Sequence, residues 1–180
     1  MLKLDTRTIV AIGLGAALFM VLFMFVRIPS PIPETSFQAA FGVGAMFAAL
    51  FGPIAGGLIQ FTGHALSDAL QYGSPWWSWV IASGVAGVGF GLAYKKTGVE
   101  QGIFGTKDII TFNVYQLIAN VVAWVVVAPV LDILIYSEPV NLVFTQGIVA
   151  AFMNTISAGV FGSLLLFAYA KTRTRASSLE

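Results

Sequence analysis

A chain of 180 residues that is 58% hydrophobic and only 9% charged, with a mean hydropathy of +0.89, has too few charges to cover a water-soluble globule and reads as an integral membrane protein. No nucleic acid partner is expected, and the lack of cysteine excludes disulfides, thiol chemistry and cysteine-based metal sites. Apolar runs of about 20 residues suit helices crossing a hydrocarbon core of about 30 Å, and the short alternating segments of a β-barrel are absent.

The runs predict an all-α bundle of six transmembrane helices over residues 1–170, followed by a polar tail at 171–180. Helix one covers about Arg7 to Arg27. It is read as a spanning helix and not a cleaved leader, because the apolar segment is long and no small-residue cleavage site precedes Arg27. Ala11, Gly13, Gly15 and Ala17 recur at spacing four on two adjoining stripes, which lets a neighbouring helix approach closely. Pro29, Pro31 and Pro33 then end the helix in an extended outer loop, Ile28 to Thr35, suited to serve as a lid. Helix two covers Ser36 to Phe51, and a Gly52-Pro53 turn leads into helix three, with proline fitted to its first turn.

Helix three carries Gln60, His64 and Asp68 every four residues within an apolar run, so their side chains stack along one face. Ionisable groups in hydrocarbon surroundings are costly, and this stripe implies a protein-lined cavity or a water-accessible end. Tyr72, the turn Gly73-Ser74-Pro75, and then Trp76, Trp77 and Trp79 come directly after it, forming the rim of the same pocket. Helix four is expected from Pro75 to about Tyr94, with Gly84, Gly87, Gly89 and Gly91 marking close packing, and the polar connection Lys95 to Lys107 lies in water. Helix five, about Asp108 to Tyr136, places Asn113, Gln116, Asn120 and Trp124 on one face; Pro129 bends it, and Asp132 falls near the interface. Helix six, about Asn141 to Ala170, adds Gln146, Asn154 and Ser157.

With the N-terminus cytoplasmic and six helices alternating, Lys3, Arg7, Lys95, Lys96, Lys107, Lys171, Arg173 and Arg175 lie inside and only Arg27 lies outside, in accord with the positive-inside rule. The polar stripes then converge on the outer half of the bundle. Amides, indoles, one imidazole and a carboxylate suit the stacking and hydrogen bonding of a small heterocycle. The residues assigned to substrate are Gln60, His64, Asp68, Trp76, Trp77, Gln116, Asn120, Trp124, Gln146 and Asn154, and those of the loop suited to serve as a lid are Pro31, Glu34 and Thr35. One His and one Asp fall short of a catalytic metal set, so no metal is expected. Two rival readings, a proton-coupled carrier and an intramembrane enzyme, would use His64 and Asp68 as an acid–base pair.

The stretches GHALSDALQYGSPWWSWVI and NVYQLIANVVAWVVVAPVLDILIYSEP, the small-residue first helix and the glycine-proline turn before helix three make the chain similar to the substrate-binding S-components of bacterial energy-coupling factor (ECF) vitamin transporters, near the riboflavin-type branch. The resemblance implies a capture subunit, without catalysis, in the bacterial cell membrane, with its ligand site facing outside and capped by the loop Ile28 to Thr35 and by the loop around Tyr72 to Pro75, which adds Tyr72 and Ser74 to the lid. The implied ligand is a vitamin or precursor such as hydroxymethylpyrimidine, a B6 vitamer, riboflavin or a cobalamin. The implied partners are a transmembrane T-component, docked on Ala11, Gly13, Gly15 and Ala17, and two ATP-binding subunits. The chain itself needs no cofactor: GVGFG in helix four lacks the Lys-Ser/Thr ending of a phosphate loop, so ATP is used elsewhere.

Overall fold

A computed structural model describes residues 5–173; Lys3, Arg175 and the end of the polar tail lie outside the described residues. Helix α1, Thr6–Phe25, opens on Asp5, whose carboxylate accepts the Thr8 N–H at 2.8 Å. Hydrogen bonding from Thr8 holds that carboxyl below the ordinary carboxylate range. Past α1 the chain is extended. Strand β1, Arg27–Pro29, pairs antiparallel with β2, Ser36–Gln38, in the register Arg27↔Gln38, Ile28↔Phe37 and Pro29↔Ser36. The start expected for helix two is therefore a strand: the proline-rich segment is held extended and offers Ser36–Gln38 a backbone partner. Glu34, at φ 55°, turns the hairpin, and the Thr35 hydroxyl donates to Ile32 O at 2.7 Å.

Helix α2 is Ala40–Phe51, and Gly52, at φ 91°, passes the chain to α3, Pro53–Tyr72. Gly73, at φ 83°, ends α3 in the left-handed conformation that favours glycine. Helix α4, Trp77–Gly91, starts two residues later than Pro75 and stops short of Tyr94. Turns and a short 3₁₀ segment, Val99–Gln101, lead to α5, Thr106–Tyr136, and α6, Val140–Thr172. Both long helices contain π-helical turns, at Val121–Val127 and Ala158–Gly162. The first lies just ahead of Pro129, which has no N–H to donate and whose ring crowds the carbonyl four residues back, so the widened turn replaces the expected simple bend. Helices α1, α5 and α6 are long and apolar enough to cross a membrane by length and composition, whereas α2 and α4 are shorter apolar helices.

Helix α3 packs against α1, α2 and α4. Its contact with α4 is backbone on backbone: a Cβ built on Gly87 would sit 2.1 Å from Gly56 O, and one on Gly56 would sit 2.4 Å from Gly87 O. Only glycine at both positions permits this approach, which brings the inward stripe of α3 within reach of α4 side chains. At one end of the bundle Arg7 donates to Tyr169 OH at 3.3 Å and lies 3.7 Å from Glu100, while Arg173 Nε donates to Glu100 O at 3.2 Å. The start of α1, the α4–α5 connection and the end of α6 thus share one basic end, and Arg27, in the hairpin, lies at the other.

Gly87→Ala is expected to lower stability by about 1–3 kcal/mol through overpacking, whereas Gly13→Ala, where a Cβ meets nothing within 4 Å, leaves it unchanged or raised. Thermal unfolding of the detergent-solubilised variants measures the difference.

Candidate functional site

The inward face of α3 buries Gln60, His64, Ser67 and Asp68. His64 Nδ1 is 2.6 Å from Ser83 Oγ on α4, its Nε2 is 3.5 Å from Asp68 Oδ1, and its ring centre is 4.3 Å from that of Phe23 on α1. Because Gly73 reverses the chain and Pro75 delays the next helix, the Trp76 N–H comes back to donate to Asp68 Oδ2 at 3.1 Å. The indoles then meet a second carboxylate. Trp76 Nε1 donates to Asp132 Oδ1 at 2.7 Å, Trp79 Nε1 to Asp132 Oδ2 at 2.6 Å, and the Ser78 hydroxyl donates to Asp132 as well. Tyr136, one turn further along α5, lies against the Trp76 ring and accepts the Trp77 N–H at 3.1 Å.

Aromatic contacts close the figure. Trp79 stacks on Trp124 with centroids 5.7 Å apart, Trp124 meets Phe41 of α2 edge-on at 5.3 Å, and Phe41 meets Phe23 at 6.0 Å. His64, Phe23, Phe41, Trp124, Trp79, Asp132, Trp76 and Asp68 therefore form a continuous circuit drawn from α1 to α5. From Trp124 a ladder descends α5: its Nε1 donates to Asn120 Oδ1 at 2.9 Å, Asn120 Nδ2 donates to Gln116 Oε1 at 2.8 Å, and Gln116 Nε2 donates to Asn113 Oδ1 at 3.1 Å. Gln146 reaches from α6 to the hairpin, donating to Pro33 O at 3.1 Å. Gln60 is fully buried with neither amide atom bonded, and the Oδ1 of buried Asn154 is also unpaired.

Of the residues assigned to substrate, His64, Asp68, Trp76 and Trp124 enter the circuit directly, with Asn120 and Gln116 behind Trp124. Trp77 stands apart: it is 45% exposed and stacks on Phe61 at 6.2 Å on the outer side of α3 and α4. In the lid, Thr35 is buried, whereas Pro31, Glu34, Tyr72 and Ser74 are exposed. The small-residue face of α1 divides. Ala11 and Gly15 are buried, a Cβ on Gly15 falling 2.8 Å from Ile59 of α3, while Gly13 and Ala17 are exposed. The side chains of the circuit touch one another, while Gln60, Gln146 and Asn154 are not bonded into it. Two further hollows lie elsewhere: an apolar groove of about 500 Å³ along Gly57, Phe61 and Gly84, and one of about 200 Å³ beside Phe104 and Phe167.

Asp132, not among the residues assigned to substrate, is 2% exposed and is the hub of the cluster. Ser78, Ser83, Phe23, Phe41 and Tyr136 were not assigned. Spacing held part of the signal: Trp76, Trp79 and Ser83 fall three and four apart on α4, and Asp132 and Tyr136 fall four apart on α5.

The fold defines a class first. The structure described as FolT bound with folic acid matches at a TM-score of 0.63 over 90% of this chain and 98% of that one, at 16% sequence identity, so the two share a mostly helical fold. Sequence supplies the family: the profile of the "ECF-type riboflavin transporter, S component" matches residues 3–171. The chain belongs to this family and is a transporter component, not an enzyme. It is also 52% identical to a UPF0397 protein of Lactococcus lactis subsp. cremoris (strain NZ9000) over 98% of this chain and 97% of that protein. A UPF0397 protein of Exiguobacterium sp. is 54% identical over 97% of this chain and 96% of its own length.

Asp132→Ala removes the acceptor from two indoles and a hydroxyl at once. It is expected to cost about 2–4 kcal/mol of stability and to shift tryptophan emission to the red, both read in one fluorescence-monitored unfolding experiment.

Proposed function

We propose that this chain is the substrate-capture subunit of an ECF-type importer, taking a small heterocyclic vitamin or vitamin precursor from outside a bacterial cell membrane. The observation that carries the proposal is the closed circuit of imidazole, carboxylates and aromatic rings, two of whose members, Phe23 and Phe41, flank the hairpin in the chain, while Gln146 of α6 donates to Pro33 O of that hairpin. Indole and phenyl faces stack a flat ring, and buried amides and carboxylates fix its edge. Folic acid in FolT supports a small ligand for this fold, and family membership supports the coupling partners, a T-component and two ATPases.

The clustering of basic side chains at the end opposite the hairpin supports a cytoplasmic position for that end. Of the small residues on α1, Gly13 and Ala17 remain outward, so they form the docking stripe for the T-component, while Ala11 and Gly15 hold α1 to α3. Substrate binding holds the hairpin down, and the loaded subunit then topples in the membrane when the ATPases drive the T-component. His64 and Asp68 serve the ligand and not a proton relay.

Gly13→Leu with Ala17→Leu is expected to abolish uptake by vesicles holding all the partners while leaving ligand binding by the isolated subunit within about twofold. Full-rate uptake by this chain alone in ATP-depleted vesicles, above all if driven by a pH gradient, overturns the proposal in favour of a self-sufficient carrier.

A further inference from the structure

The interior of the cluster is electrically one-sided. Asp68 and Asp132 are 4% and 2% exposed. The basic side chains of the described residues lie at the opposite end of the bundle or, for Arg27, exposed in the hairpin. Among the described residues the interior thus holds two carboxyl side chains against one imidazole, His64. In low-dielectric surroundings such a set favours a hydrogen-bond donor or a cation over an anion.

The unpaired amides point the same way. Gln60 has both amide atoms buried without a partner, and Gln38 Oε1 and Asn154 Oδ1 are unpaired acceptors. Gln60 shares the inward stripe of α3 with His64 and Asp68, and its amide nitrogen lies against Gly44, one turn along α2 from the Phe41 of the circuit. Gln38 precedes Phe41 by three residues, and Ser157, one turn beyond Asn154, donates to Gln38 O at 2.6 Å. Of the unpaired amide atoms on these three side chains, three are acceptors and one is a donor. A buried amide without a partner costs stability in the unliganded protein, and a ligand that bonds it recovers that cost.

We infer that the ligand carries no negative charge and meets this site with an amino, amidine or ammonium edge on a flat heterocycle, so that anionic vitamins are excluded. The inference rests on the capture function proposed above and names the chemistry of its substrate. It sets this chain apart from its structural neighbour FolT, whose ligand, folic acid, carries two carboxyl groups. Gln60 selects the edge by offering an acceptor and a donor side by side, and Asp68 supplies the charge.

The test is a binding panel on the purified full chain, read by tryptophan quenching and calorimetry. Thiamine, pyridoxamine and 4-amino-5-hydroxymethyl-2-methylpyrimidine are the amino-bearing probes; folate, flavin mononucleotide and pantothenate are anionic; riboflavin is a neutral ring without an amino group. Tightest binding by an amino-bearing probe is the expected result. Tightest binding by an anion or by riboflavin overturns the inference and leaves the capture function standing, whereas failure of every probe overturns both. Gln60→Met separates a recognition role from a structural one: it should weaken the bound probe by about tenfold or more, the worth of one buried hydrogen bond, while leaving the unliganded melting temperature equal or higher. Retained affinity in Gln60→Met, or in Asp68→Asn, also overturns the inference.

Discussion

A carboxylate inside a membrane bundle has to be met by donors, and Asp132 shows how that requirement orders the rest of this structure. Two indole N–H groups and a hydroxyl from the start of α4 converge on it, which fixes that end of α4 against α5. Trp76, so held, passes its backbone N–H to Asp68, and Asp68 lies beside His64. The polar faces of three helices are thus coupled through one side chain. Because His64, Asp68 and Asp132 are buried, each depends on the others and on the α4 donors for its partners.

Small residues make that coupling geometrically possible. The backbone contact between Gly56 and Gly87 draws α3 and α4 close enough for a short serine, Ser83, to reach His64. On the other side, Gly15 and Gly63 admit Ile59 and Phe19 between α1 and α3, bringing Phe23 onto the imidazole ring. Close packing and polar satisfaction therefore belong to one design: glycines set the helix spacing at which the hydrogen bonds become available.

Much of this was legible in the sequence. Composition declared the membrane, the four-residue spacing of Gln60, His64 and Asp68 declared the inward face of α3, and the basic residues declared which ends meet. Asp132 went without a role for a physical reason: the donors that allow it to be buried come from α4, and a long-range partner leaves no mark on local periodicity. Phe23 and Phe41 were invisible for the opposite reason: in a chain with 15 phenylalanines, nothing local separates a ring that faces lipid from one that faces the site. The strand at Ser36–Gln38 was missed because the Ala- and Gly-rich helix α2 begins almost immediately after it, and only pairing with the proline-held segment makes it extended. Ala11 and Gly15 were grouped with Gly13 and Ala17 by spacing alone, and only the seating of α3 divides inward from outward.

The π-helical stretch Val121–Val127 sits between Trp124, which faces Phe41 and Trp79, and Asp132, which faces α4. In an unbroken α-helix each residue advances the direction of its side chain by about 100°, so residues eight apart do not share a bearing. The wide turn acts as a phase correction that lets one helix address the aromatic and the acidic halves of the site together. Length in this stretch is thereby more constrained than residue identity: excising a single valine would rewind α5 and swing Asp132 off its indoles without altering any residue of the cluster.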